Sequence, residues 1–327
     1  MRGYIARRAL YSLLTLFAIA TILFVMFRLM PGDPTAQVIS PALDAASQER
    51  LRQAFGLNDP LWLQYLIYLK NLVTLHWGQS FTSHKPVVEV LGYRLVNTLL
   101  LMGAGMLLTF VLGISLGIVT AWRRNGPLDL VGTLGALVFQ SAPPFITGLL
   151  LLMLLSYRLG IFPTGGMYTA GNPPVHLLGF MVSKDFLHHL VLPTLTVAMY
   201  FLATPMLIMR DGMLEILGSD FIEFAKAKGV SPTSVMIKHA ARNALLGVVT
   251  ISSILMGFAI GGQVIVESVY SWPGMGSLMV EAAASHDYPV AQGAFLVLAA
   301  IVIGFNLLSD ALYGYLDPRI KASHGGA

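Results

Sequence analysis

The sequence predicts an all-α integral membrane protein with six spans. Two observations carry this. The chain is 56% hydrophobic and 11% charged, with a mean hydropathy of +0.72; soluble domains are nearer 45–50% apolar and about 25% charged. Its apolar residues also fall into runs of the length a helix needs to cross hydrocarbon, about 20 residues.

The six runs are residues 9–29, 98–122, 130–157, 190–209, 244–266 and 290–309. The first follows Arg2, Arg7 and Arg8 and contains "AIA" at Ala18–Ala20, which looks like a cleavage site. A cleaved signal has an apolar region of about 7–15 residues. This run passes that point and reaches Met30, so an uncleaved anchor is expected.

Basic residues set the orientation. Arg2, Arg7 and Arg8, then Arg123 and Arg124, then Arg210, Lys226, Lys228, Lys238 and Arg242, then Arg319 and Lys321 lie on alternate connections and make up 12 of the 20 Lys/Arg. The connection between spans five and six has Glu267, Glu281 and Asp287 and no Lys or Arg. Both termini are therefore expected in the cytoplasm. The basic residues form no single patch, so no nucleic-acid partner is expected. The implied organisation is residues 1–30 as N-terminus and first span, 31–97 as an extracytoplasmic segment, 98–313 as a membrane core and 314–327 as a cytoplasmic tail. The outer segment contains "NDPLWLQYLIYLKNLV", with Asn58 and Asp59 as possible caps and Pro60 at a first helical position. It reads as a helix against the bilayer or the other spans.

Several spans are interrupted. Pro143 and Pro144 fall within the third, and Pro193 and Pro205 within the fourth. Proline removes a backbone hydrogen bond, and irregular membrane helices often line a pathway. These four are candidate hinge or pathway residues, although kinks are also common in ordinary packing.

"GISLG" at Gly113–Gly117 matches G-x-S-x-G, which in serine hydrolases needs a strand-to-helix elbow. Inside a span the same glycines suit close helix packing. His188 and His189 are adjacent, whereas helical zinc pairs sit four apart. The chain has no Cys, so thiolate chemistry is excluded. No phosphate-binding G-x-x-x-x-G-K-[ST] loop occurs, and no span carries a central Asp, Glu or Lys for a proton relay. Neither metal nor cofactor is expected on this chain.

The stretch from Asp220 to Gly247, "DFIEFAKAKGVSPTSVMIKHAARNALLG", is charged in a chain that is not. Asp220–Lys228 reads as a short amphipathic helix, Gly229 fits its left-handed end, and Ser231 with Pro232 fits the start of the next helix. Val235, Met236 and Ile237 follow close to the turn. An apolar tip among charges suits a groove in a soluble partner. Composition alone leaves this reading level with a solvated loop.

The spacing of Glu223, Ala225 and Gly229 resembles the E-A-A-x-x-x-G loop of ATP-binding-cassette (ABC) importer permeases. Phe224 replaces an Ala, His239 and Arg242 stand where many members have Ile and Pro, and Gly247 stands where the peptide/nickel branch often has Pro. Further segments resemble the first permease subunit of that dipeptide/oligopeptide/nickel branch. They are "RLMPGDP" (28–34), "FGLNDPLWLQY" (55–65), "WGQSF" (77–81), "LGIFPTGG" (159–166), "HLVLPTLTVA" (189–198), "VESVYSWPGMGSL" (266–278) and "HDYPVAQG" (286–293).

The resemblance implies a six-span type I ABC importer permease of the bacterial inner membrane. It implies a homologous second permease, two cytoplasmic ATPases that use ATP and Mg, and an extracytoplasmic solute-binding protein. The loop at about 212–245 would be the coupling element, with Glu223, Ala225, Gly229, Ser231, Pro232, Val235 and Met236 as its candidate residues. Trp272, Pro273, Gly274 and Gly276 are candidates for an outer gate or a binding-protein contact. Peptides are the expected substrate, with nickel, glutathione-like and other small solutes as alternatives. An intramembrane enzyme built on Ser115 and a membrane scaffold without transport are the readings from other classes.

Overall fold

The computed structural model describes residues 2–29, 59–171, 181–262 and 264–316. Met30–Pro34 of "RLMPGDP", Phe55–Asn58 of the next motif, and Arg319 and Lys321 lie outside the described residues. Within them every regular element is a helix, apart from one isolated bridge between Gln79 and Pro86.

Helix α1 covers Arg2–Leu29 and α2 covers Leu61–Val73. Pro60 precedes α2 at its cap position instead of opening it, and no side chain caps the helix. Helix α3 runs from Val87 to Trp122. It starts 11 residues before the apolar run at Thr98 because the stretch holding Glu89 and Arg94 extends it beyond the greasy part. At 1.5 Å per residue its 36 residues span about 54 Å.

The third run is sharply broken. Helix α4, Pro127–Ser141, and helix α5, Pro144–Leu151, meet at 105°. Ala142 and Pro143 are extended between them, because a residue before proline is pushed out of the α region. Wider π-helical winding continues α5 through Leu152–Arg158. The fourth run bends more gently, by 47°, between α6, Lys184–Phe201, and α7, Ala203–Leu217. Pro205 accounts for this bend, since it has no N–H for the Phe201 carbonyl four residues back. Pro193 lies inside α6 without breaking it.

Helix α8 covers Asp220–Ala227. A short turn at Pro232–Ser234 and a π-helical stretch at Val235–Ala241 lead into α9, Arg242–Gly262. Then come α10 (Val264–Val269), α11 (Met275–Ala284) and α12 (Tyr288–Leu316). Among the described residues four helices are long and apolar enough to cross a membrane, and counting each bent pair as one span brings the number to six.

Helix α3 is the axis of the packing and touches α4, α6, α7, α9, α11 and α12. Its contact with α7 is close because Gly113 and Gly117 face it. A Cβ on Gly113 would stand 2.8 Å from Pro205 Cγ, and one on Gly117 2.6 Å from the Met206 carbonyl oxygen. Met206, Met209 and Met213 fill the rest of this seam and are fully buried. The glycines of "GISLG" therefore serve packing, and Ser115 between them is exposed. His188 and His189 are likewise used locally: His188 Nε2 lies 2.7 Å from the Ile161 carbonyl and His189 Nδ1 2.8 Å from that of Asp185.

Candidate functional site

The two ends of α3 mark two regions of interest. Near its C-terminal end, α8 terminates at Gly229. Gly229 has φ +77°, with its N–H donating to the Lys226 carbonyl (2.9 Å) and the Val230 N–H donating to that of Ala225 (3.2 Å). This six-residue pattern closes a helix end and favours glycine. Ser231 holds the cap position of the next turn with Pro232 at its first residue, but the Ser231 side chain makes no capping bond.

Ile222, Ala225 and Val235 point inward and are buried, and Met236 packs on the cluster formed by Met209, Met213, Ala240, Ala241 and Val248. This corrects the expected apolar tip. Val235 and Met236 lie close to the turn in sequence, yet the winding from Pro232 turns them towards the core, where they anchor the loop. The outward apolar side chains are Phe221 (54% exposed), Phe224 (64%) and Ile237 (46%). Lys228 Nζ sits over the Phe224 ring at 4.8 Å, and Glu223 is exposed beside it. The result is an aromatic and charged surface on a buried apolar footing.

Behind this loop, Arg210 of α7 binds Asp129 at the start of α4 through two hydrogen bonds, Nε to Oδ1 at 2.7 Å and Nη2 to Oδ2 at 3.0 Å. The Asn125 amide adds a third donor at 3.0 Å. A bidentate Arg–carboxylate pair fixes orientation as well as distance. The segment around Arg123 and Arg124 is thereby tied to the helix that enters α8. Sequence reasoning counted Arg210 only as a topogenic charge and gave Asp129 no part.

At the other end of α3, the Trp272–Gly276 turn is buried apart from Pro273, which is half-buried. Trp272 is fully buried and its Nε1 donates to the Asn97 carbonyl (3.0 Å), while Asn97 Nδ2 donates to that of Pro273 (2.8 Å). Glu267 is buried beneath the turn and accepts from Thr98 Oγ1 (2.6 Å), from the Ser277 amide (2.9 Å) and from the Gly276 amide. Burial pushes its carboxyl above the usual range, against these donors. Gly274 and Gly276 are required by space: a Cβ on Gly274 would collide with the Glu267 carboxylate, and one on Gly276 would lie 2.7 Å from Val264 Cα.

The outer motifs converge here. The Tyr270 hydroxyl meets Thr196 Oγ1 (2.8 Å) and the Gly148 carbonyl (3.2 Å), and its own carbonyl accepts from the Gly166 amide (2.8 Å). A second knot joins Trp77–Phe81 to His286–Gly293. Asp287 Oδ2 accepts from Ser80 Oγ (2.6 Å) and Thr82 Oγ1 (2.7 Å). Burial alone would raise this carboxyl, but the hydroxyls of Ser80 and Thr82 and the amides of Phe81 and Thr82 outweigh it and hold it below the usual range. The candidate hinge prolines divide. Pro143 and Pro144 occupy the sharp break and Pro205 the gentler bend, whereas Pro193 is buried inside α6 without breaking it.

Comparison with known proteins agrees with this architecture. Residues 113–322 match the family described as binding-protein-dependent transport system inner membrane component, and residues 1–102 match its N-terminal companion. A putative peptide permease protein of Brucella suis is 41% identical over 326 residues, covering 99% of this chain and all of that one. The oligopeptide transport system permease protein AppB of Bacillus subtilis is 38% identical, covering 98% of this chain and all of its own. The glutathione transport system permease protein GsiC of Escherichia coli is 34% identical, covering 98% and 99%. The inward-facing MetNI methionine ABC transporter shares the fold, with a TM-score of 0.55 at 18% identity over 71% of this chain and 98% of that one. The chain is a multi-pass membrane permease belonging to the binding-protein-dependent transport system inner membrane component family.

Proposed function

We propose that this permease forms, with a homologous second permease, the translocation pathway of an ATP-driven importer of di- or oligopeptides in a bacterial inner membrane. Both termini lie in the cytoplasm, as the placement of Lys and Arg favours. Two cytoplasmic ATPases bind ATP and Mg, and an extracytoplasmic binding protein delivers the substrate. This chain performs no chemistry. It couples movement of the α8 loop to reorientation of the membrane helices.

The observation that carries the coupling role is the outward face of α8. Phe221, Phe224 and Ile237 are exposed, while Ile222, Ala225 and Val235 hold the loop from below. Exposed aromatics rimmed by Glu223, Lys226 and Lys228 suit a partner's groove and not lipid, since three charges would accompany them. The names of the relatives support peptides as the substrate class, with glutathione, itself a small peptide, as the second reading.

Affinity purification from gently crosslinked membranes tests the assembly. Recovery of two ATPases, a second permease and a binding protein is expected, and recovery without any ATPase would defeat the reading. Glu223→Ala and Gly229→Val should weaken ATPase retention while insertion is preserved. Normal retention and normal peptide uptake in both variants would remove the coupling assignment.

A further inference from the structure

The outer turn is fastened to α3 by a buried carboxylate. Glu267 Oε1 accepts from Thr98 Oγ1 at 2.6 Å, and Thr98 Oγ1 accepts in turn from the Met275 amide at 2.7 Å. Oε2 accepts from the Ser277 amide at 2.9 Å, and the Gly276 amide donates to the same carboxylate. These amides open α11, where a helix carries positive partial charge and unpaired N–H groups. One residue earlier on α3, Asn97 holds Trp272 through its carbonyl and Pro273 through its side chain. Two adjacent residues of α3 thus hold the turn at Trp272, Pro273 and Met275, and Thr98 reaches Gly276 and Ser277 through Glu267.

Lifting the turn off α3 would strip Glu267 Oε1 of the Thr98 hydroxyl and leave the Met275 amide, the Trp272 indole N–H and the Asn97 side-chain amide without these partners. Stranding such groups is costly. The turn also wraps the carboxylate with no space to spare, since a Cβ on Gly274 would occupy its place.

We infer that Glu267 is a positioning residue that pins the Trp272–Gly276 turn to α3, so that α10, the turn and α11 travel with α3 as one body. Any opening at this end arises from movement of that body against other helices, and the turn does not swing as a flap. The inference rests on the transport reading only for its uptake readout.

The chain has no Cys, so introduced thiols are the only ones on it. Arg94 Nη2 and Glu281 Oε2 meet at 2.8 Å on the rim and link α3 to α11, and Arg94 Nη1 also donates to Ser277 Oγ at 3.3 Å. In the assembled importer, an Arg94→Cys/Glu281→Cys pair is joined by a short bis-methanethiosulfonate, and mass spectrometry verifies the link. Uptake of a labelled peptide above half that of the unlinked pair is expected. A fall below half that a reductant restores would overturn the inference.

A second measurement addresses Glu267 itself. Met275→Cys is fully enclosed and should be inert to a membrane-impermeant maleimide. Adding Glu267→Ala should raise its reactivity at least tenfold, and Glu267→Gln, which keeps one acceptor oxygen, should restore most of the protection. Equal protection in all three backgrounds would overturn the role of Glu267. If the native importer takes up no peptide, the transport reading fails, while the thiol measurement still decides the pin.

Discussion

Helices α8 and α10 end in the same way and serve opposite purposes. At α8 the closing bonds are Gly229 to Lys226 and Val230 to Ala225. At α10 they are Ser271 to Ser268 (3.3 Å) and Trp272 to Glu267 (2.8 Å). Each turn passes through a left-handed residue, Gly229 at φ +77° and Ser271 at φ +49°. Around Gly229 the space is open, with nothing within 4 Å of a Cβ built there. After Ser271 the chain is enclosed by α3 and the Tyr270 neighbours. One turn leaves its flanking side chains exposed and the other holds them against the chain itself. The backbone motif carries no function, and the direction of the flanking side chains decides it.

Breaking the enclosed turn should have the larger effect on stability. Trp272→Ala removes a fully buried indole and its hydrogen bond to the Asn97 carbonyl. A loss of about 3–5 kcal/mol is expected, read as a large fall in the thermal midpoint of the detergent-purified complex. Gly274→Ala forces a methyl into the Glu267 carboxylate, with an expected loss of about 1–3 kcal/mol and a smaller shift in the same assay.

Asp287→Asn weakens the second outer knot, with an expected loss of about 1–2 kcal/mol at neutral pH. Because the folded carboxyl lies below its ordinary range, its contribution is complete above the unfolded value of about 3.9. It is lost as pH falls through the lower folded value. The difference in midpoint between the native protein and Asp287→Asn should therefore shrink when both are measured under acid.

The open turn should separate stability from coupling. Gly229→Ala puts an L side chain at positive φ and costs about 1 kcal/mol. Phe224→Ala should change stability by less than about 0.5 kcal/mol, as exposed positions do, yet lower peptide-stimulated ATP hydrolysis several-fold. Unchanged hydrolysis in Phe224→Ala would remove the contrast between the ends.

The spans were legible because length and hydropathy are local quantities. The disruption at Pro143 and Pro144 and the helix end at Gly229 were legible for the same reason, since each follows from one residue's backbone chemistry. The 105° angle was not, because the packing of α5 and α6 against α10 sets it. Nor was the inward facing of Val235, which follows from the winding after Pro232 and from the cluster beneath it. The acids between spans five and six were read as an absence of positive charge. Their actual partners, Thr98 for Glu267 and Ser80 for Asp287, lie 169 and 207 residues away in the chain, a separation no local pattern encodes.

The α3–α7 seam has a chemical consequence. Met206 and Met209 lie against the glycines of α3 and Met213 is fully buried beyond them, and a thioether is oxidised to sulfoxide only where peroxide reaches it. Sulfoxide at these three positions would therefore be a time-integrated record of how often the seam parts during turnover. It needs no label, because the reporter is already built into the native sequence.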